Sequence, residues 1–115
     1  MEGKIIFRET EQIEPIDTSH NLGIKQVLLT NNETESDITQ VAIGTLAPGE
    51  FVEKHFHVDM EESFYFLEGN GYYLIEGEKY PVKPGTYIHI PKDAEHYLKA
   101  EGETPLRFIY WGIEA

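Results

Sequence analysis

Apolar and polar positions alternate with a period of two over short runs along most of the chain. Clusters of Gly, Pro, Asn and acidic residues interrupt the runs at roughly the 8–12-residue spacing of antiparallel sandwiches and barrels. The pattern predicts an all-β fold with almost no helix. Predicted strands are "KIIFRE" at 4–9, 24–30, 39–47, "EKHFHV" at 53–58, "ESFYFLEG" at 62–69 and "GYYLIEG" at 71–77. Further strands follow at 78–82, 86–91, 95–100 and 106–112. The connections agree, because "EGNGY" and "IEGEK" place Gly where a hairpin needs positive φ, and "APGE" and "KPGT" are Pro-Gly turns. The polar segment "TNNETESD" at 30–37 reads as an exposed loop with a solvated acidic face.

Length adds the scale: 115 residues, 40% of them hydrophobic, suit one domain covering 1–115 with one core. A formal net charge of −12 repels nucleic acid and anionic lipid, so neither is an expected partner. No apolar run approaches the roughly 20 residues of a membrane helix, and the apolar stretch in the opening segment is too short for a signal peptide. Cytoplasm is the expected location. The absence of cysteine excludes disulfides, zinc-thiolate sites and a thiol nucleophile. Any metal must therefore be held by nitrogen and oxygen.

The stretch "EKHFHVDMEESFYFLEG", residues 53–69, concentrates such ligands. Side chains alternate faces along a strand, so His55 and His57 point the same way and Phe56 the other. Glu62 comes five residues after His57, and "VDME" can reverse the chain to return its carboxylate beside the imidazoles. Two imidazoles and a carboxylate suit Fe, Mn, Ni, Co or Zn. A His-x-His pair alone is weak evidence, because two polar residues on a solvated strand read identically.

The wider spacing resembles the cupins, a family of small β-barrels. Their first motif runs Gly, five residues, His-x-His, three or four residues, Glu, six residues, Gly, and is met by Gly49, His55, His57, Glu62 and Gly69. Their second motif is met by Gly85, Pro91 and His96, while Asp93 replaces a Gly and Ala100 replaces the closing Asn. The motif core spans 49–100. The resemblance implies a single-domain jelly-roll barrel with one divalent transition metal ion held by His55, His57, Glu62 and His96. Other coordination positions would be left for water or substrate. Glu61 is the nearest rival of Glu62, but only Glu62 also stands six residues before Gly69.

Phe64 and Phe66 share parity with Glu62 and are expected as the apolar wall of a substrate pocket. Either Ala42, Gly44 and Leu46 or Val41, Ile43 and Thr45 line the same cavity; parity does not choose. His89 is expected to hydrogen-bond locally on its strand, with a pocket contact as the alternative, and His20 to be solvated in its turn. No catalytic acid or base is legible. No Lys or Arg cluster lies near either motif, Lys54 standing singly between strand positions that face opposite ways and Arg107 belonging to the final strand, which disfavours a heavily phosphorylated substrate. Cupins include dioxygenases, isomerases, decarboxylases, lyases and plain binders, so the fold does not select a reaction. The expected function is a small metal-dependent enzyme acting on a neutral or modestly charged oxygen-rich compound, such as a sugar derivative or hydroxy acid. A non-catalytic cupin binding such a compound is the alternative, and a structural dimerisation module a third. A homodimer is expected, through the edge offered by residues 4–9.

Overall fold

A computed structural model describes residues 3–19 and 22–115. One short 3-10 turn precedes the ten strands and another lies between the second and third: β1 (Ile16–Asp17), β2 (Ile24–Thr30), β3 (Ile38–Leu46), β4 (Phe51–His55) and β5 (Met60–Glu68). The others are β6 (Asn70–Ile75), β7 (Glu78–Val82), β8 (Tyr87–Ile90), β9 (His96–Glu101) and β10 (Leu106–Glu114). They pair antiparallel in two sheets, a six-stranded one ordered β1-β2-β3-β10-β5-β8 and a four-stranded one ordered β4-β9-β6-β7. This is an all-β jelly roll, as the alternating pattern predicts.

The core lies between the sheets. Leu46, Phe64, Phe66 and Phe108 from the larger sheet meet Tyr73, Val82, Leu98 and Ala100 from the smaller, all nearly inaccessible to water. Burying a side chain of this size contributes about 1.5–3 kcal/mol, so this layer is the main source of stability. Register settles the parity left open in β3: Gly44 pairs with Phe108 and Ala42 with Tyr110, so Ala42, Gly44 and Leu46 face inward. The hairpin between β6 and β7 turns on Glu76 (φ 49°) and Gly77 (φ 82°), the two positive φ values that a tight hairpin matching strand twist requires. Gly69 ends β5 at φ 80°, where a Cβ would collide with the carbonyl oxygen of Pro105. Only glycine satisfies both constraints there.

Two expectations need correction. Residues 4–9 form no strand and pair with no strand of this chain. Their alternation is real, but the partner that bonds to β2 in this chain is the two-residue β1, at Ile24 and Lys25. The segment instead runs along the surface with Ile5 98% and Phe7 83% exposed. It is anchored by Arg8, whose guanidinium donates to the Leu28 carbonyl (2.6 Å) and to both carboxylate oxygens of Glu33. The Arg8 hydrogen bond, with help from the Thr30 backbone, pulls the Glu33 carboxyl down to about 2. Second, the strand expected over 53–58 runs Phe51–His55, leaving His57 in the following loop. The loop at 30–37 is largely exposed, as expected, and contains a 3-10 turn, Asn31–Glu33, closed by a Thr30/Glu33 capping box. His20 lies outside the described residues.

Candidate metal centre

His55 ends β4 and His96 begins β9, and the two are cross-strand partners, so sheet pairing itself brings their rings to 4.2 Å between centroids. Each Nδ1–H donates to a carbonyl two residues upstream, His55 to Glu53 (2.8 Å) and His96 to Ala94 (2.9 Å). These bonds fix the tautomer and leave both Nε2 atoms as acceptors aimed inward. His57 has no strand to hold it. Its carbonyl accepts from the Asp93 backbone N–H (2.7 Å), a bond made possible by the left-handed Asp93 (φ 68°) in the loop before His96. Asp93 thus keeps the turn that a Gly supplies in the motif, because Asp tolerates this conformation. Glu76 braces that loop from the other side, exchanging hydrogen bonds with the Glu95 backbone (2.8 and 2.9 Å).

Glu62, on the inward face of β5, completes the group. Its Oε1 lies 3.1 Å from His57 Nε2 and 3.7 Å from His96 Nε2. One ligand atom from each of His55, His57, Glu62 and His96 falls within 4.8 Å of all the others. The electrostatics are uneven. The Glu62 hydrogen bond raises the His57 pKa above the usual imidazole range, whereas burial lowers that of His96. Among the described residues His96 Nε2 is the one buried side-chain N or O atom without a hydrogen-bond partner. A buried acceptor left unpaired costs roughly 1–3 kcal/mol, and a cation at the centre of the four ligands would satisfy it. The donor set and this unpaired atom fit a divalent transition ion.

His55, His57, Glu62 and His96 all line a cavity of about 160 Å³. Phe64 lines it too, stacked on Tyr110 (5.5 Å) and edge-on to Tyr73 (5.4 Å). Phe66 shares the inward face but sits deeper, fully buried in the core and outside the cavity lining. His89 is not in the cavity. It occupies the opposite face of the sheet, where Nδ1 meets Ser63 Oγ (3.0 Å) and Nε2 meets Glu61 (3.2 Å), with Tyr87 OH completing the chain to Ser63 (2.9 Å). The register Ser63↔His89 requires this, since Glu62 and Phe64 alternate with Ser63. Glu61 is turned away for the same reason. Gly44 and Leu46 of the inward β3 set line the cavity, and Thr45 also contributes.

Sequence reasoning passed over the polar lining groups Lys25 and Gln40; Tyr73 and Tyr110, strand aromatics of a kind that packs a core more often than it lines a pocket, line the cavity beside them. Burial pushes the Tyr110 phenol up to about 12 and that of Tyr73 well above its ordinary value, so both remain protonated hydrogen-bond donors at neutral pH. Pairing of Tyr110 with Ala42 and Phe64 places it inward, a signal that requires the register of three strands.

The family model described as "Cupin domain" matches residues 42–112, which include all four candidate ligands. An uncharacterised protein of Methanocaldococcus jannaschii is 32% identical over 92% of this chain and 84% of its own length. A dimethylsulfoniopropionate lyase of Ruegeria pomeroyi is 34% identical over 74% of this chain, which spans 55% of that enzyme. Among solved structures, one from Thermotoga maritima, named a predicted oxalate decarboxylase, superposes with a TM-score of 0.87 at 25% identity, covering 93% of this chain and 97% of its own. Among the described residues no helix is long and apolar enough to cross a membrane.

Proposed function

The chain belongs to the cupin family, and from that premise we propose that it is a small enzyme dependent on one divalent transition metal ion, acting on an oxygen-rich small molecule. The observation that carries this reading is the unpaired, buried His96 Nε2 at the meeting point of three imidazoles and a carboxylate, opening on a cavity of about 160 Å³. Bound there by His55, His57, Glu62 and His96, the ion would supply Lewis acidity toward a substrate oxygen. The chain's own groups do the rest. Tyr110, held protonated by burial, offers a hydroxyl donor at the cavity wall, and the Phe64 ring supplies an apolar wall beside it, where a polar contact is stronger than in water. Relatives named as enzymes, the lyase above among them, support catalysis over simple binding.

A homodimer is part of the same reading. The exposed Ile5 and Phe7 on an anchored, extended segment offer an unpaired edge to a second copy. Light scattering at micromolar concentration should give twice the chain mass.

The function is tested by a thermal-shift screen of metal-loaded and metal-stripped protein against sugars, sugar acids and hydroxy acids, with NMR detection of product for each hit. A ligand at 100 times its Kd stabilises the native state by about 2.7 kcal/mol. The expected result is at least one hit that requires the metal and is converted. Hits equally strong without metal would contradict the reading, and metal-dependent binding without conversion would make the protein a binder.

A further inference from the structure

Lys25 and Gln40 lie on neighbouring strands and both line the metal-site cavity. Lys25 pairs with the inward Gly44 in the register of β2 with β3, and its Nζ donates to Gln40 Oε1 at 3.3 Å. With Oε1 so engaged, the Gln40 amide nitrogen and the remaining ammonium N–H groups are donors in search of an acceptor. Among the described residues lining the cavity, Lys25 is the one Lys or Arg and Glu62 the one Asp or Glu. No described carboxylate stands within ion-pair distance of Lys25.

Charge balance then points to a ligand. On the metal reading above, a divalent ion with Glu62 leaves one positive charge, and Lys25 adds another across the same small cavity. A half-buried cation next to a second positive centre is unfavourable unless an anion joins them. The volume limits that anion: about 160 Å³ is below the roughly 300–1,000 Å³ of drug-sized sites. It holds about five waters at ~30 Å³ each. Apolar side chains make up much of the remaining wall, with Leu46, Val52, Met60, Phe64, Leu98 and Phe108 among them.

We propose that the ligand is a small aliphatic carboxylate, its carboxylate held by Lys25 and the Gln40 amide while another oxygen faces His55, His57, Glu62 and His96. Planar carboxylate oxygens match the two adjacent donors, and a short hydrocarbon spans the apolar walls. Lys25 is therefore a specificity-determining residue, absent from both cupin motifs.

The proposal rests on the metal reading, so the test separates the two. Protein loaded with Mn2+ or Zn2+, its metal content measured, is titrated calorimetrically with 2-hydroxybutyrate, 3-hydroxybutyrate, their neutral amides and inorganic phosphate. At least one acid should bind about tenfold or more tighter than its amide and tighter than phosphate. Lys25→Met should lose that preference about tenfold while keeping its metal and its melting temperature, and Lys25→Arg should retain most of it. Gln40→Ala, a milder change, should lose part. Absence of metal from the wild type defeats the functional reading itself. With metal present, binding of no acid, equal binding of acid and amide, phosphate matching the acids, or Lys25→Met keeping the preference would each overturn the carboxylate assignment.

Discussion

Strand β5 carries a glutamate–histidine contact on each face, and their lengths are nearly equal: Glu62 to His57 at 3.1 Å inside, Glu61 to His89 at 3.2 Å outside. Their surroundings differ. The inner carboxylate side chain is 11% exposed, and two further imidazoles approach it; the outer one is 39% exposed beside a His89 whose other nitrogen is satisfied by Ser63. A histidine–carboxylate distance alone therefore does not define a site. Convergence of several ligands, burial and an unsatisfied nitrogen separate the candidate metal centre from an ordinary surface contact.

The sharpest way to break the contrast is through the neighbouring aromatics. Phe64→Ala, removing a buried ring from the cavity wall and its stack with Tyr110, should destabilise by about 3–5 kcal/mol in chemical denaturation. Tyr65→Ala, on the outer face and 41% exposed, should cost less than about 1 kcal/mol. Comparable losses would mean that the two faces are not core and surface as described.

Metal affinity sharpens the comparison next. Glu62→Gln should weaken binding by more than ~100-fold, since even residues that merely orient ligands cost 10–100-fold, whereas Glu61→Gln should leave the Kd within about twofold. Competition with a chromophoric chelator reads both. Similar weakening in the two variants would assign the carboxylate wrongly.

The pH dependence follows from the same groups. Protons compete with the ion for the imidazoles, and the Glu62 bond that raises the His57 pKa makes this competition begin above the ordinary ~6.5. Metal affinity should thus fall steeply from about pH 7 toward pH 5. In metal-free protein the two shifted histidines act oppositely. The raised pKa of His57 contributes stability below ~6.5 that is lost as pH rises through its folded value. The lowered pKa of His96 contributes stability above ~6.5 that is lost as pH falls through its folded value. The melting temperature of the metal-free form should therefore vary less over pH 5–7 than that of the loaded form. A steeper dependence without metal would contradict the linkage. The smallest effect belongs to the outer pair: a double-mutant cycle on Glu61 and His89 should give about 0.2–1 kcal/mol.

Much of this contrast is legible in the sequence, and the part that is not has a physical cause. Strands such as 24–30 and 78–82 are marked by β-branched and aromatic runs ending at turns, which are local signals. The four clustered ligands follow from motif spacing, although His57 reaches them from a loop tied to Asp93 rather than by strand alternation. The assignment of Ala42, Gly44 and Leu46 to the inside depends on pairing with β10, more than 60 residues away, which no local pattern encodes. Lys25 and Gln40 meet through the pairing of β2 with β3, Lys25 standing opposite Gly44 on the face that Gln40 shares, and a register shift between Val27 and Leu29 breaks the simple count of parity further along β2. Residues 4–9 show the reverse case, a strand-like alternation with no partner strand in the same chain.

The most direct test of the central claim is elemental analysis of wild type, His96→Ala and His89→Ala, each stripped with chelator, reloaded with a divalent transition ion at pH 7.5 and desalted. Convergence on the inner face predicts about one ion per chain in the wild type, almost none in His96→Ala and the wild-type amount in His89→Ala. No ion in the wild type, or the same loss in both variants, would contradict it.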